Sequence, residues 1–204
     1  RYMEKKKILH IINSLEIGGA EMLLITLLNE LEQHFEQHLI LLEEKNNKLL
    51  DKVPRGCIIE IVPFRSVWHL PHAVLRVRRY IRDNAISVVH TQLYWPGIIS
   101  RLACSQKQKV INTIQAVSSE ASYKVNRLSY WLEKLTYRKR HIIIAVSKIV
   151  LDDFDQWIGL SGEGYVFYNL INDRYFAVQV PERVIHGQVS LVAVGNLRWQ
   201  KITN

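Results

Sequence analysis

Residues 13–31, NSLEIGGAEMLLITLLNEL, set two adjacent glycines, Gly18 and Gly19, between a β-like run and a strongly helical one. Upstream, Lys7 to Ser14 is a nearly continuous apolar run, as expected of a strand covered on both faces. Downstream, Ala20, Leu23, Leu24, Leu27, Leu28 and Leu31 recur at i, i+3, i+4, i+7, i+8 and i+11, one stripe of a helix. A helix that starts at a glycine pair offers unpaired N–H groups and a partial positive charge to an anion. Glycine lets a phosphate approach the backbone and also permits a positive φ. The competing reading is a tight strand-to-helix turn with no ligand. The pattern is neither GxGxxG nor a GK[ST] loop.

The same alternation continues along the chain. Strands are expected at His38 to Leu42, Cys57 to Val62, Ile86 to Val89, Val110 to Ile114, Ile142 to Val146 and Tyr165 to Tyr168. Helices are expected over Trp68 to Arg82, Pro96 to Ala103 and Glu120 to Arg138, and from an N-cap at Ser147 through Trp157. Short apolar strands alternating with helices predict an α/β fold, a Rossmann-like doubly wound parallel sheet. This first domain is expected over residues 1–180. Residues 181–204 read as a linker and the first strand, SLVAVG, of a second domain that begins near residue 187 and continues beyond Asn204.

Composition narrows the classes. At 204 residues and 48% hydrophobic the chain can bury a sizeable core, and it has no apolar run near twenty residues. Cys57 and Cys104, both in apolar company, fit buried thiols in a reducing cytoplasm and do not have a metal-ligand spacing. The net charge of +8 is concentrated in two segments, Arg65 to Arg82 and Arg101 to Arg140. Such faces suit nucleic acid, anionic headgroups or a phosphorylated substrate, or are ordinary solvated helix faces. Aromatics sit mostly on apolar stripes, with Tyr130, Trp131 and Leu135 read as core-facing, so no nucleic-acid partner is expected. The basic amphipathic segment Trp68 to Arg82 suggests a peripheral anionic membrane surface as partner. His34, His38, His69 and His72 lack metal-site spacing and are read as solvent-exposed.

Ligands of an open α/β sheet bind beyond the carboxyl ends of its strands. Two further strands end there in polar residues, His90-Thr91-Gln92 and Thr113-Ile114-Gln115, with Ser118-Ser119-Glu120 beyond. Together with Gly18 and Gly19 they would outline a cleft for a phosphate-bearing polar ligand, although a lone histidine such as His90 is commonly just buried.

The ordered series ILHIINSLEIGGAEMLLITLLNEL, VVHTQLYWPGIISRLA, INTIQAVSSE, IIIAVSKIVLDDF, VFYNLINDRYF and VAVGNLRWQK resembles glycosyltransferase family 4 across essentially the whole chain. The resemblance implies the N-terminal, acceptor-side half of a GT-B fold, with most of the donor site in the second domain. It implies retaining transfer of a sugar from a nucleotide-diphosphate donor to a glycan or lipid-linked acceptor hydroxyl, in the cytoplasm, with no metal or cofactor beyond the donor itself. It casts Gly18, Gly19, Arg198 and Lys201 as donor-phosphate groups, Gln115 and Glu120 as catalytic, and His90, Thr91 and Gln92 as acceptor or sugar contacts. Gln115 and Gln92 stand where histidine is frequent in the family, and glutamine cannot become cationic. The paired glutamates of the family would lie past Asn204, so this chain alone is expected to be inactive. The alternative is a non-catalytic α/β domain that binds a sugar or phosphate.

Overall fold

The computed structural model describes residues 5–119, 124 and 126–169. The chain divides into two compact units, Arg1–Leu170 and Ile171–Asn204, and every described residue belongs to the first. The linker, the SLVAVG segment, Arg198, Lys201 and Glu120 lie outside the described residues.

Seven strands form one sheet: β1 Lys6–Ile12, β2 Phe35–Leu41, β3 Ile58–Ile61, β4 Val88–Gln92, β5 Lys109–Ile114, β6 His141–Ala145 and β7 Gly164–Val166. All pairings are parallel, in the order β3-β2-β1-β4-β5-β6-β7. Between the strands run α1 Gly19–Leu31, α2 Leu70–Asp83, α3 Tyr94–Ala103, α4 Arg127–Thr136 and α5 Lys148–Ile158. The fold is the expected Rossmann-like doubly wound α/β sheet.

Alternation along the strands distributes the core over two faces. Leu9, Ile11, Ile40 and Val89 pack with Ala73, Val77 and Ile81 of α2 on one face. Ile12, Leu39 and Leu41 pack with Ala20, Leu24, Ile25 and Leu28 of α1 on the other. The α1 stripe is thus centred on Leu24 and Leu28, with Leu23, Leu27 and Leu31 at its half-buried margins. Ser147 caps α5 as expected, its hydroxyl accepting from the Val150 amide.

Four expectations are corrected. The brief strand expected from Ile86 and ending at His90 is found over Val88–Gln92, because Thr91 and Gln92 pair with Asn112 and Thr113 of β5. The helix expected from Glu120 is described from Arg127, where Asn126 caps it by accepting from the Leu128 amide. Its fully buried residues are Ser129 and Glu133; Trp131 and Leu135 are 48% and 61% exposed, whereas Tyr130, half-buried, does pack against the core of Tyr137, Ile143 and Phe154. A small residue and an ion-paired carboxylate thus take the most buried places instead of Trp131 and Leu135. His38 is buried, since β2 turns it with Ile40 toward α2, where Nδ1 meets the Tyr80 hydroxyl at 2.8 Å and Nε2 meets Glu36.

Charges expected on open basic faces also serve the fold. The Arg78 guanidinium donates to the carbonyls of Leu102 and Ala103 at the end of α3, and Arg140 donates to Cys104. Cys57 and Cys104 are free thiols, and burial pushes both up to about 12, so they are protonated and inert at neutral pH.

Burial holds the histidines in the sheet neutral: His90 and His141 are lowered to about 4, and His10 lies well below its usual value. The native state therefore stays unprotonated at pH values where the unfolded chain binds a proton at each imidazole. Stability should be level above pH 6.5 and fall as pH drops from there toward 4. His90 alone should account for a loss on the order of 3 kcal/mol. Urea titrations across pH 4–8 should show that slope, and His90→Gln should flatten part of it.

Candidate functional site

The strand order reverses direction between β1 and β4, and the crevice at that switch point opens beyond their carboxyl ends. A cavity of about 250 Å³ lies at this rim. Asn13 contributes from the end of β1, Tyr94 and Trp95 from the start of α3, Asn112 and Gln115 from β5 and its continuation, and Glu133 from α4.

Gly18 is the N-cap of α1, with extended backbone (φ −159°, ψ 170°) and no side-chain cap. Neither glycine of the pair has a positive φ. A Cβ at Gly18 would meet only the Glu21 carboxylate, the far end of a flexible side chain, and a Cβ at Gly19 would have nothing within 4 Å. Neither a tight turn nor packing requires these glycines.

Of the expected acceptor contacts, His90 and Thr91 are buried within β4 and do not line the cavity. His90 stands in register with His10, and their Nδ1 atoms lie 3.0 Å apart. Its Nε2 meets the Thr113 hydroxyl at 2.9 Å. One of the two Nδ1 atoms must donate and the other accept, and in either arrangement Nε2 of His10 has no partner. Thr91 bonds the Ile111 carbonyl across the sheet. These groups support the rim from beneath.

Gln92 and Gln115, the two amides standing where histidine was anticipated, come together. Nε2 of Gln115 donates to Oε1 of Gln92 at 2.8 Å. Gln92 is buried and its own Nε2 has no partner, whereas Gln115 is half-buried and lines the cavity. Among the described residues, the structure thus brings Gln115 to the cavity, sets Gln92 behind it, and places the glycine pair at the start of the helix that follows β1.

Sequence reasoning missed Asn13, Tyr94, Trp95, Asn112 and Glu133. Asn112 carried a detectable sign, a polar residue inside the apolar run VINTI. Gly97 lets it sit against α3, because a Cβ there would run into the Asn112 amide. Glu133 carried none, because its place depends on Arg101, 32 residues earlier. Nη2 of Arg101 donates to Oε1 of Glu133 at 2.6 Å, and both side chains are buried. Arg101 was expected on a basic face; instead its Nε donates to the Gly97 carbonyl inside α3. Burial, with the Glu133 charge nearby, raises the Tyr94 phenol, which donates to the Ser129 carbonyl at 2.8 Å.

Leu93, between β4 and α3, has φ 73° and ψ 177°, a region essentially confined to glycine and costing about 1–3 kcal/mol for other residues. Its amide is tied to the Thr113 carbonyl and its side chain packs against the α1 core, which hold it there. Both Leu93→Ala and Leu93→Gly lose that packing, but only the glycine relieves the backbone. Leu93→Gly should therefore be more stable than Leu93→Ala by roughly 1 kcal/mol or more, reversing the usual order, as chemical denaturation would measure.

The chain is 27% identical over 202 residues to the N-acetylgalactosamine-N,N'-diacetylbacillosaminyl-diphospho-undecaprenol 4-alpha-N-acetylgalactosaminyltransferase of Campylobacter jejuni subsp. jejuni serotype O:2. That match covers 91% of this chain and 54% of the relative, so the chain spans about half the length of the curated relative it matches. Its fold is similar to Anabaena HepE in complex with UDP, with a TM-score of 0.67 and 15% identity over 83% of this chain and 46% of that one. It is also similar to sucrose-phosphate synthase from Thermosynechococcus elongatus, with a TM-score of 0.64 and 13% identity over 80% and 48% of the two chains. The model of Glycosyltransferase Family 4 matches residues 17–175, and the chain accordingly belongs to that family.

Proposed function

We propose that this chain is the acceptor-side part of a retaining glycosyltransferase. The protein containing it would move a sugar from a nucleotide-diphosphate donor to a hydroxyl of a glycan or lipid-linked acceptor, in polysaccharide or glycolipid synthesis. The observation that carries the proposal is the glycine pair: the fold itself makes no demand for it, while the helix start it opens suits a diphosphate. Relatives support the same reading, since the Campylobacter protein is named for a diphospho-undecaprenol acceptor and HepE was solved with UDP.

In the proposed reaction the amides at the start of α1 help hold the departing diphosphate, whose negative charge grows as the glycosidic bond breaks. Retention follows if the leaving phosphate takes the proton of an acceptor hydroxyl arriving on the same face, which needs no protein nucleophile. Gln115 faces the reacting groups as an uncharged hydrogen-bonding side chain, oriented by Gln92. Glu120, Arg198 and Lys201 keep the roles the family resemblance implies. No resident metal or prosthetic group enters the proposal, the nucleotide sugar being a substrate. Residues past Asn204 would complete the donor site, so the isolated chain is proposed to be inactive.

The substitution Gly19→Ala separates a ligand-imposed glycine from a structural one. Alanine at the first helical position meets no neighbour and should leave the melting temperature unchanged or raise it. In the parent protein it should raise the KM for donor by about tenfold or more, a loss of at least ~1.4 kcal/mol in binding. A Gly19→Ala parent that transfers sugar with unaltered donor KM would sink the diphosphate role.

We also propose that α2 rests on an anionic membrane at the cytoplasmic face, where a lipid-linked acceptor would be met. No described helix is long and apolar enough to cross a membrane. With Ala73, Val77 and Ile81 buried, Leu75, Arg79 and Arg82 lie within roughly 40° of the opposite pole of the helix. Trp68, in the turn before α2, is 93% exposed and Leu75 62% exposed. An open indole and leucine flanked by arginines match an interface with acyl chains beneath and phosphates above. Trp68→Ser/Leu75→Ser should weaken co-sedimentation with anionic vesicles several-fold while leaving the melting temperature unchanged. Binding to neutral vesicles as strong as to anionic ones would refute the electrostatic part.

A further inference from the structure

The cavity at the switch point is smaller than the ~300–1,000 Å³ of sites that enclose drug-sized ligands, and at about 250 Å³ it suits one sugar ring. Tyr94 and Trp95 bring aromatic surface for the C–H face of a ring, and Asn13, Asn112 and Gln115 bring amides that both donate and accept. Among the described residues no lysine, arginine or histidine lines it, and Glu133 is the one carboxylate. The partner of Glu133, Arg101, sits behind the wall, buried and directed back into α3 through the Gly97 carbonyl.

That ion pair is an expensive way to join two helices. Buried pairs commonly stabilise no better than apolar residues of similar volume. This one also leaves Nη1 of Arg101 without a partner. The pair does, however, fix a carboxylate in one position on the cavity wall. A fixed carboxylate accepts hydrogen bonds from ring hydroxyls or an amide N–H, and repels a second carboxylate brought into the same low-dielectric space.

We propose that Glu133, positioned by Arg101, is a specificity-determining residue of this cavity, which takes an uncharged monosaccharide ring of the acceptor and rejects a uronic acid. The inference rests on the acceptor-side reading of the chain and adds the charge class of the ring.

The test compares binding of a methyl hexoside, its 2-acetamido analogue and the corresponding methyl hexuronide by saturation-transfer NMR and calorimetric titration on the 204-residue chain. A neutral ring should bind at least about tenfold tighter than the hexuronide. Glu133→Gln should narrow that ratio to about threefold or less. Because Glu133→Gln leaves the Arg101 charge buried and unpaired, it can fail to fold. The paired substitution Arg101→Leu/Glu133→Leu removes both charges, is expected to keep the fold, and should also abolish the preference. Equal binding of neutral and acidic rings by the unaltered chain, no ring binding, or a ratio unmoved in a folded variant overturns the inference. Its failure is separable from failure of the transferase reading: the parent would then still transfer sugar, with acceptor preference indifferent to Glu133, whereas a parent that transfers nothing removes the reading itself.

Discussion

In a sheet whose strands all run the same way, every strand end of one polarity reaches the same rim. The chain must then cross back over a face before it can add another strand. Helices crossing to one side of β1 and to the other side of β4 leave between them a crevice that neither covers. This constraint collects Asn13, Gln92, Gln115 and the start of α1, residues up to about a hundred positions apart, along one edge. The cavity needs no dedicated loop to create it, and the short connections supply only its lining.

The sheet beneath that rim is unusually polar for one covered on both faces. His10, His90, Gln92 and Thr113 are buried in strands whose other residues are mostly valine, leucine and isoleucine. Hydrogen bonds across strands satisfy most of their polar atoms, and two atoms, one nitrogen of His10 and one of Gln92, stay unpaired. Burying an unpaired polar group costs of order 1–3 kcal/mol. Together with the backbone strain at Leu93, these costs fall in the two central strands that flank the crevice. The strain at Leu93 and two of the unpaired buried atoms thus lie beside the crevice, while α1 and α2 pack on the sheet mainly through apolar side chains.

The fold was legible because it rests on local patterns. Continuous apolar runs meant covered strands, the leucine stripe after Gly19 meant a helix packed on one of them, and their alternation meant parallel pairing. The polar ends HTQ and TIQ lie at the rim where the cavity opens. What stayed hidden depended on contacts remote in sequence. His38 in HFEQH has no mark of burial until Tyr80 is brought to it from α2. The most buried places of α4 depart from its apolar pattern, because Glu133 is satisfied by a residue on another helix. The polar end HTQ carries no local sign of how far its strand runs, and only pairing with β5 carries that strand through Thr91 and Gln92.

The amide pair between Gln92 and Gln115 has a bearing on how this cleft can drift over generations. The two side chains come from neighbouring strands, and each occupies a place where an imidazole was anticipated. Changing one alone to an apolar residue strands its mate, which must then find another hydrogen-bonding group in a confined space. Viable sequences should therefore keep a hydrogen-bonding side chain at both places, amide or imidazole, and descendants apolar at only one of them should be scarce.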